Sequence, residues 1–167
     1  MDVIHFGNYK IMLLESHQGE SFFKLIDANR KRLEVFIAGT VSRTKTLKDT
    51  INYCKLIEER ITEESYFPFT IVDKSSCAFI GLIDVKNMDW SIPKAEIGYF
   101  IDAQYEGKEI ISEGLGLLVD YLVEAYQFKK LLCRANNKNA GSLKVALKNG
   151  FELEGTIRRD YKTTEGE

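Results

Sequence analysis

The segment Gly98 to Glu113, GYFIDAQYEGKEIISE, brings together the groups that hold a phosphate. An apolar stretch ends at Ile101, a short polar stretch carries Gly107 and Lys108, and a long helical pattern begins at once. The first turn of a helix leaves backbone N–H groups without partners and concentrates positive dipole there. With a glycine allowing close backbone approach, such a junction can cradle phosphate oxygens, Lys108 adding charge and Ser112 a further donor. The same glycine can equally serve the turn alone. Two sharper phosphate motifs fail. GxxxxGK[ST] would need glycine at Asp102 and Ser/Thr at Glu109, and GxGxxG cannot use Gly114-Leu115-Gly116, which falls inside the helix. Neither a P-loop NTPase nor a Rossmann dehydrogenase is supported.

A second cluster is Asn139-Ala140-Gly141-Ser142, followed by Lys148-Asn149-Gly150-Phe151-Glu152-Leu153-Glu154-Gly155. Asn139 is a good N-cap for a helix whose first turn holds Ser142, and Gly150 suits a left-handed end to that helix. Capping accounts for each residue, though not for the two clusters occurring together.

The elements that must position these clusters follow from periodicity. Lys10–Leu14 reads as a first strand, and Ser21–Asn29 as a helix with Phe22, Leu25 and Ile26 on one face. Thr46 and Asp49 signal the start of a helix striped by Leu47, Ile51, Cys54, Ile57 and Ile61. Phe67–Val72 and Ala78–Val85 flank the polar turn Asp73-Lys74-Ser75-Ser76 and predict an antiparallel hairpin. Ala95–Ile101 is the next strand. The long helix shows Ile111, Leu115, Leu118, Leu122 and Tyr126 on one stripe, and Leu131–Ala135 is a strand. A last helix carries Leu143, Ala146 and Leu147, and Phe151 opens a final strand. The expectation is a mixed α/β sheet, mostly antiparallel, with one parallel crossover near its end.

The 167 residues suit one domain, 1–167, and 44% hydrophobic with 29% charged residues provide a core and argue against disorder. Lys and Arg number 23 and Asp and Glu 25, a formal charge of −2, which counts against binding nucleic acid by bulk charge. No apolar run approaches the ~20 residues that span a bilayer. Met1-Asp2-Val3-Ile4-His5 lacks the basic start of a signal peptide, so a cytoplasmic location is expected. Cys54, Cys77 and Cys133 are widely spaced and distant from His5 and His17, so no metal site is indicated and free thiols are expected.

Gln104-Tyr105-Glu106-Gly107-Lys108, then Ser112-Glu113, with Asn139-x-x-Ser142 and Lys148-Asn149-Gly150-Phe151-x-x-Glu154-Gly155 downstream, resembles the GNAT superfamily of acetyl-CoA-dependent N-acetyltransferases. Within it, the chain from Lys10 to Tyr161 is most similar to the RimJ/RimL-like branch, which acetylates protein N-terminal amines, including those of ribosomal proteins. The resemblance implies a single sheet with helices on both faces and a splayed strand pair that takes acetyl-CoA. It implies that the Q/R-x-x-G-x-G/A loop falls on Gln104, Tyr105, Glu106, Gly107, Lys108 and Glu109. Amides from Glu106 through Ile110 to Ile111 would then hold the CoA diphosphate. Asn139 would touch the pantetheine arm, Ser142 would lie near the thioester sulfur, and Ile101 would pair with pantetheine as one more strand.

Two positions and one missing element depart from the family pattern. Glu109 stands where glycine or alanine is usual. Ala146 stands where many members place the tyrosine that protonates the leaving thiolate, so Ser142 or water must serve. The family's closing strand has no counterpart before Thr163–Glu167, so either the chain is a shortened piece or the sheet ends early.

Acyl transfer to an amine benefits from a general base, and Glu96 is the first candidate, an acidic residue in an apolar strand sharing a face with Gly98 and Phe100. Burial among apolar groups makes a carboxylate more basic, although Glu96 can equally face solvent or an arginine. Glu113 is less suited, because a helix's first turn favours an acid in any case. A backbone N–H near Phe100 or Ile101 would steady the oxyanion. Cys133, with no neighbouring histidine, is not assigned as a nucleophile. Arg30-Lys31-Arg32 reads as a solvated basic face, with contact to an acidic partner as the alternative. The acceptor is expected to be a protein N-terminus, with a polyamine, an aminoglycoside, or CoA binding without turnover as alternatives, and a homodimer is the default assembly.

Overall fold

The computed structural model describes residues 3–161, so Met1-Asp2 and the Thr163–Glu167 end lie outside the described residues. The strands β1 (Ile4–Phe6) and β2 (Tyr9–Leu13) form a hairpin about Gly7, which holds φ +48°. Three helices follow, α1 (Gly19–Leu33), α2 (Ala38–Arg43) and α3 (Leu47–Thr62). Thr46 caps α3 as the sequence predicts, its side chain accepting from the Asp49 N–H at 3.1 Å. Then β3 (Phe67–Asp73), β4 (Phe79–Asp89) and β5 (Lys94–Ile101) run as an antiparallel meander. Helix α4 (Ile110–Tyr126) crosses over to β6 (Lys130–Cys133), which pairs with β5 in parallel, and α5 (Ala140–Lys148) comes last. The six strands lie in one sheet in chain order, β1 to β6.

Alternation along the strands supplies two cores. Phe67, Phe69 and Ile71 meet Leu115, Leu118 and Leu122 of α4 on one face. Leu82 meets Phe22, Ile26, Cys54 and Ile57 of α1 and α3 on the other. Each fully buried side chain of this size contributes about 1.5–3 kcal/mol, which explains why helical periodicity predicted the three long helices. Gly114 lets α4 lie close to the sheet, since a Cβ there would meet Phe6 at 3.3 Å and Ile11 at 3.4 Å. At the far end, Trp90 stacks on Phe128 (5.1 Å between ring centroids) and donates its ring N–H to the Glu64 carbonyl.

Three expectations are corrected. The first helix is longer than its apolar stripe, and β1 and α2 carry too few patterned residues to be seen. The strand expected from Phe151 is absent from the described residues. Gly150 turns the chain at φ +79°, the Phe151 N–H bonds back to the Ala146 carbonyl at 3.2 Å, and Leu153 and Ile157 lie exposed. Arg30 and Arg32 are not a solvated face. Arg30 pairs with Asp27 and donates to the Val41 and Thr44 carbonyls, and Arg32 reaches the β5–α4 loop.

Candidate active site

Strand β5 outruns its parallel partner. The ladder with β6 covers Lys94 to Ile97 opposite Lys130 to Cys133, whereas pairing with β4 continues to Ile101. Gly98 to Ile101 therefore have a neighbour on one side only, and the two strands splay. Backbone groups of successive strand residues point to opposite sides. The Asp102 N–H donates to Ile80 of β4 (2.7 Å), so the Ile101 carbonyl and N–H, like those of Tyr99, face the opened side. Phe100 presents its backbone to β4 instead and packs its ring toward the α1/α3 core.

The splayed edge runs straight into the predicted cradle. Asp102 accepts from the Gln104 N–H (2.8 Å), folding residues 103–105 into a single 3-10 turn, while the Gln104 side chain lies at the surface. Gly107 at φ +73° and Glu109 at φ +62° then reverse the backbone twice before α4. The first intrahelical bond is from Glu113 N–H to Glu109 O at 3.0 Å, and no side chain caps the helix. The amides of Gly107, Lys108 and Glu109, with first-turn Ile110, Ile111 and Ser112, thus form a row without acceptors among the described residues. A Cβ on Gly107 would meet nothing within 4 Å, so the junction is open.

The loop's charged side chains are all engaged. Glu106 pairs with Arg32, and Lys108 lies over the Tyr105 ring at 5.2 Å. Glu109 reaches Lys148 of α5 at 2.6 Å, a contact that holds its carboxyl below the usual range. Ser112 is turned to α5 as well: its hydroxyl and carbonyl oxygens accept from Asn149 Nδ2 at 3.3 and 3.1 Å.

Asn139 caps α5, its Oδ1 accepting from the Ser142 N–H at 3.1 Å. The Ser142 carbonyl accepts from the Tyr99 hydroxyl at 2.6 Å, and its own hydroxyl stays uncommitted among the described residues. Burial pushes the Tyr99 phenol well up, and Cys133 Sγ lies 3.6 Å from that oxygen. Sequence reading missed Tyr99, whose tie joins β5 to α5. Its strand position, two residues from Ile97 and Ile101 on the same face, was the available signal.

The apolar surroundings expected for Glu96 are absent. It stands opposite Lys86 in the ladder, accepts from Asn87 Nδ2 at 2.9 Å and lies 3.8 Å from Arg134 Nε. Its side chain is 13% exposed and shares the sheet face with Asp84 and Gly98. Asp84 is buried, accepting from the Tyr66 hydroxyl (3.0 Å) and the Gly98 N–H (3.1 Å). No cluster of three or more potential metal ligands occurs among the described residues.

A splayed parallel pair opening onto an uncapped helix start is the arrangement that the family resemblance implies. The chain matches the model of the acetyltransferase (GNAT) domain over residues 14–152 and belongs to that family. It is an acetyltransferase with acetyl-CoA as cosubstrate. Bacillus subtilis YdaF, a protein named for ribosomal N-acetylation, is 32% identical over 158 residues, covering 89% of this chain and 80% of YdaF. The crystal structure of a ribosomal-protein-alanine acetyltransferase from Vibrio fischeri superposes with a TM-score of 0.91 at 21% identity, covering 98% of this chain and 90% of that one. A RimL ribosomal-protein α-N-acetyltransferase in complex with coenzyme A gives 0.91 at 16% identity, covering 99% and 92%.

Proposed function

We propose that the protein moves the acetyl group of acetyl-CoA directly onto the N-terminal α-amine of a protein, acting as one domain in the cytoplasm. The observation that carries the cofactor placement is the free β5 edge leading into six amides without partners among the described residues. The diphosphate sits on the amides of Gly107 to Ser112, where dipole and donors converge. The pantetheine runs along Tyr99 to Ile101 as an added strand, with Asn139 beside it.

Glu96 takes the proton from the acceptor ammonium, directly or through one water; among the described residues its second carboxylate oxygen has no partner. The neutral amine attacks the thioester carbon, the C–S bond breaks, and the proton that the attacking nitrogen sheds passes through the Ser142 hydroxyl or a water to the thiolate. No acyl-enzyme forms, and rate comes largely from positioning. The protein N-terminus is favoured over small amines by similarity to YdaF and to structures named for ribosomal proteins. Thiol release from acetyl-CoA, measured with peptides beginning in Ser, Ala or Met and with polyamines, tests this. Turnover with peptides is expected, and turnover with polyamines alone would overturn it.

A further inference from the structure

Arg32 leaves the last turn of α1 and grips the β5–α4 loop from the opposite side of the fold. One amino group donates to the Glu106 carboxylate; the other donates to the Ile101 carbonyl and to Asn29 Oδ1, the latter at 2.9 Å. Asn29 is 5% exposed and extends the grip. It accepts from the Ala103 N–H and donates to Asp102 Oδ2, both at 3.0 Å. Residues 101, 102, 103 and 106, the run that leads from the splayed edge to Gly107, are all fastened to one turn of α1.

Two features separate this arrangement from ordinary helix packing. The Ile101 carbonyl is one of the groups facing the opened side of β5, so the guanidinium stands at the edge where the pantetheine would begin. It also leaves Ile101 only its N–H for pairing with an added strand. Second, Arg32 Nε is buried without a partner, the sole buried side-chain polar atom so left among the described residues. A desolvated donor is unfavourable. Through its two amino groups the side chain thus holds three acceptors, at the cost of leaving Nε without one. Lysine could not replace it, because only a planar fork reaches two acceptors in fixed directions.

We propose that Arg32 is a cosubstrate-positioning residue, setting the end of β5 and residues 102–106 so that the amides beyond Gly107 meet the CoA diphosphate already ordered. The inference rests on the diphosphate placement given above. It assigns no chemical step to Arg32; ordering the loop in advance removes an entropy cost from binding.

Calorimetry with CoA tests it on wild type, Arg32→Gln, Arg32→Lys and Gly107→Val, each checked for folding by circular dichroism. Arg32→Gln is expected to weaken CoA binding about tenfold and Arg32→Lys about threefold, since the charge survives but the fork does not. Hydrogen exchange should rise in residues 102–109 and not across the core, which a general loss of stability would not produce. Unchanged affinity in Arg32→Gln, with Gly107→Val weakened, overturns the role of Arg32 and leaves the diphosphate placement standing. Unchanged affinity in Gly107→Val overturns that placement and the inference with it. Should Arg32→Gln fail to fold, Arg32→Lys decides, and wild-type affinity there overturns the proposal.

Discussion

Lys148 Nζ lies 2.6 Å from Glu109 Oε2, so the acidic residue at the mouth of the amide row receives its counter-charge from α5. Glutamate at this position is tolerable because a cation from the next helix offsets it, and because its left-handed backbone stays within reach of a non-glycine residue. Glu109→Gly removes the charge and suits the φ of +62°, and is expected to tighten CoA binding about threefold. Lys148→Ala strands the carboxylate and is expected to weaken it by a similar factor, the effect fading as salt rises. Calorimetry at low and high ionic strength reads both.

Among the described residues, Ser142 is bound into the structure only through its backbone, by Asn139 and Tyr99. Ser142→Ala should therefore leave the melting temperature unchanged while lowering kcat about 100-fold, if its hydroxyl protonates the thiolate. Tyr99→Phe is expected to do the reverse in kind. It removes the side-chain tie from β5 to the Ser142 carbonyl, which keeps its bond within α5, costing about 0.5–1.5 kcal/mol and lowering the melting temperature by about 1–6 °C. Steady-state kinetics and thermal melts on the two variants separate chemistry from support.

Gly98 has no room for a side chain. A Cβ there would stand 2.6 Å from Asp84 Oδ1 and 3.0 Å from Lys86 Nζ. Gly98→Ala must push a buried carboxylate off the Tyr66 hydroxyl or bend β5, at a cost of about 1–3 kcal/mol. Urea denaturation should show this loss with an unchanged slope. Wild-type stability would mean that Asp84 moves freely.

Stability is expected to fall on the alkaline side. Burial pushes the Cys54 thiol from its ordinary 9 up to about 11 and raises the phenols of Tyr66 and Tyr99. Each group holds its proton longer folded than unfolded, so the stabilisation is complete below the unfolded pKa. It is lost as pH climbs toward the folded one. For Cys54 that window runs from pH 9 to about 11. Melting temperature measured across it should decline steadily, and Cys54→Ala should flatten the decline.

Much of this was legible in the chain. Long apolar stripes fixed α3 and α4, β-branched runs marked the meander, and Gly107 next to a helix pattern located the cradle. Short elements such as β1 and α2 were invisible because three to six residues carry no period. The Phe151 strand failed because propensity cannot show whether a ladder partner exists. Asn29 and Arg32 were missed at the site for another reason. Their partners at residues 101–106 lie far along the chain, and a polar residue on a helix reads as solvated until the fold brings its acceptor to it. Glu96 reads from the sequence as a carboxylate among apolar neighbours, but Asn87 comes to it from a bulge in β4 and Arg134 from beyond β6, which strand alternation could not reveal.

Trp90, at the sheet end remote from Gly107, is the chain's sole tryptophan and sits in an aromatic stack with Tyr126 and Phe128. The molecule thus carries a built-in fluorophore on the structural side of its architecture. Its emission should track cooperative unfolding while staying silent to cofactor, giving an optical readout in which folding and ligation never share a signal.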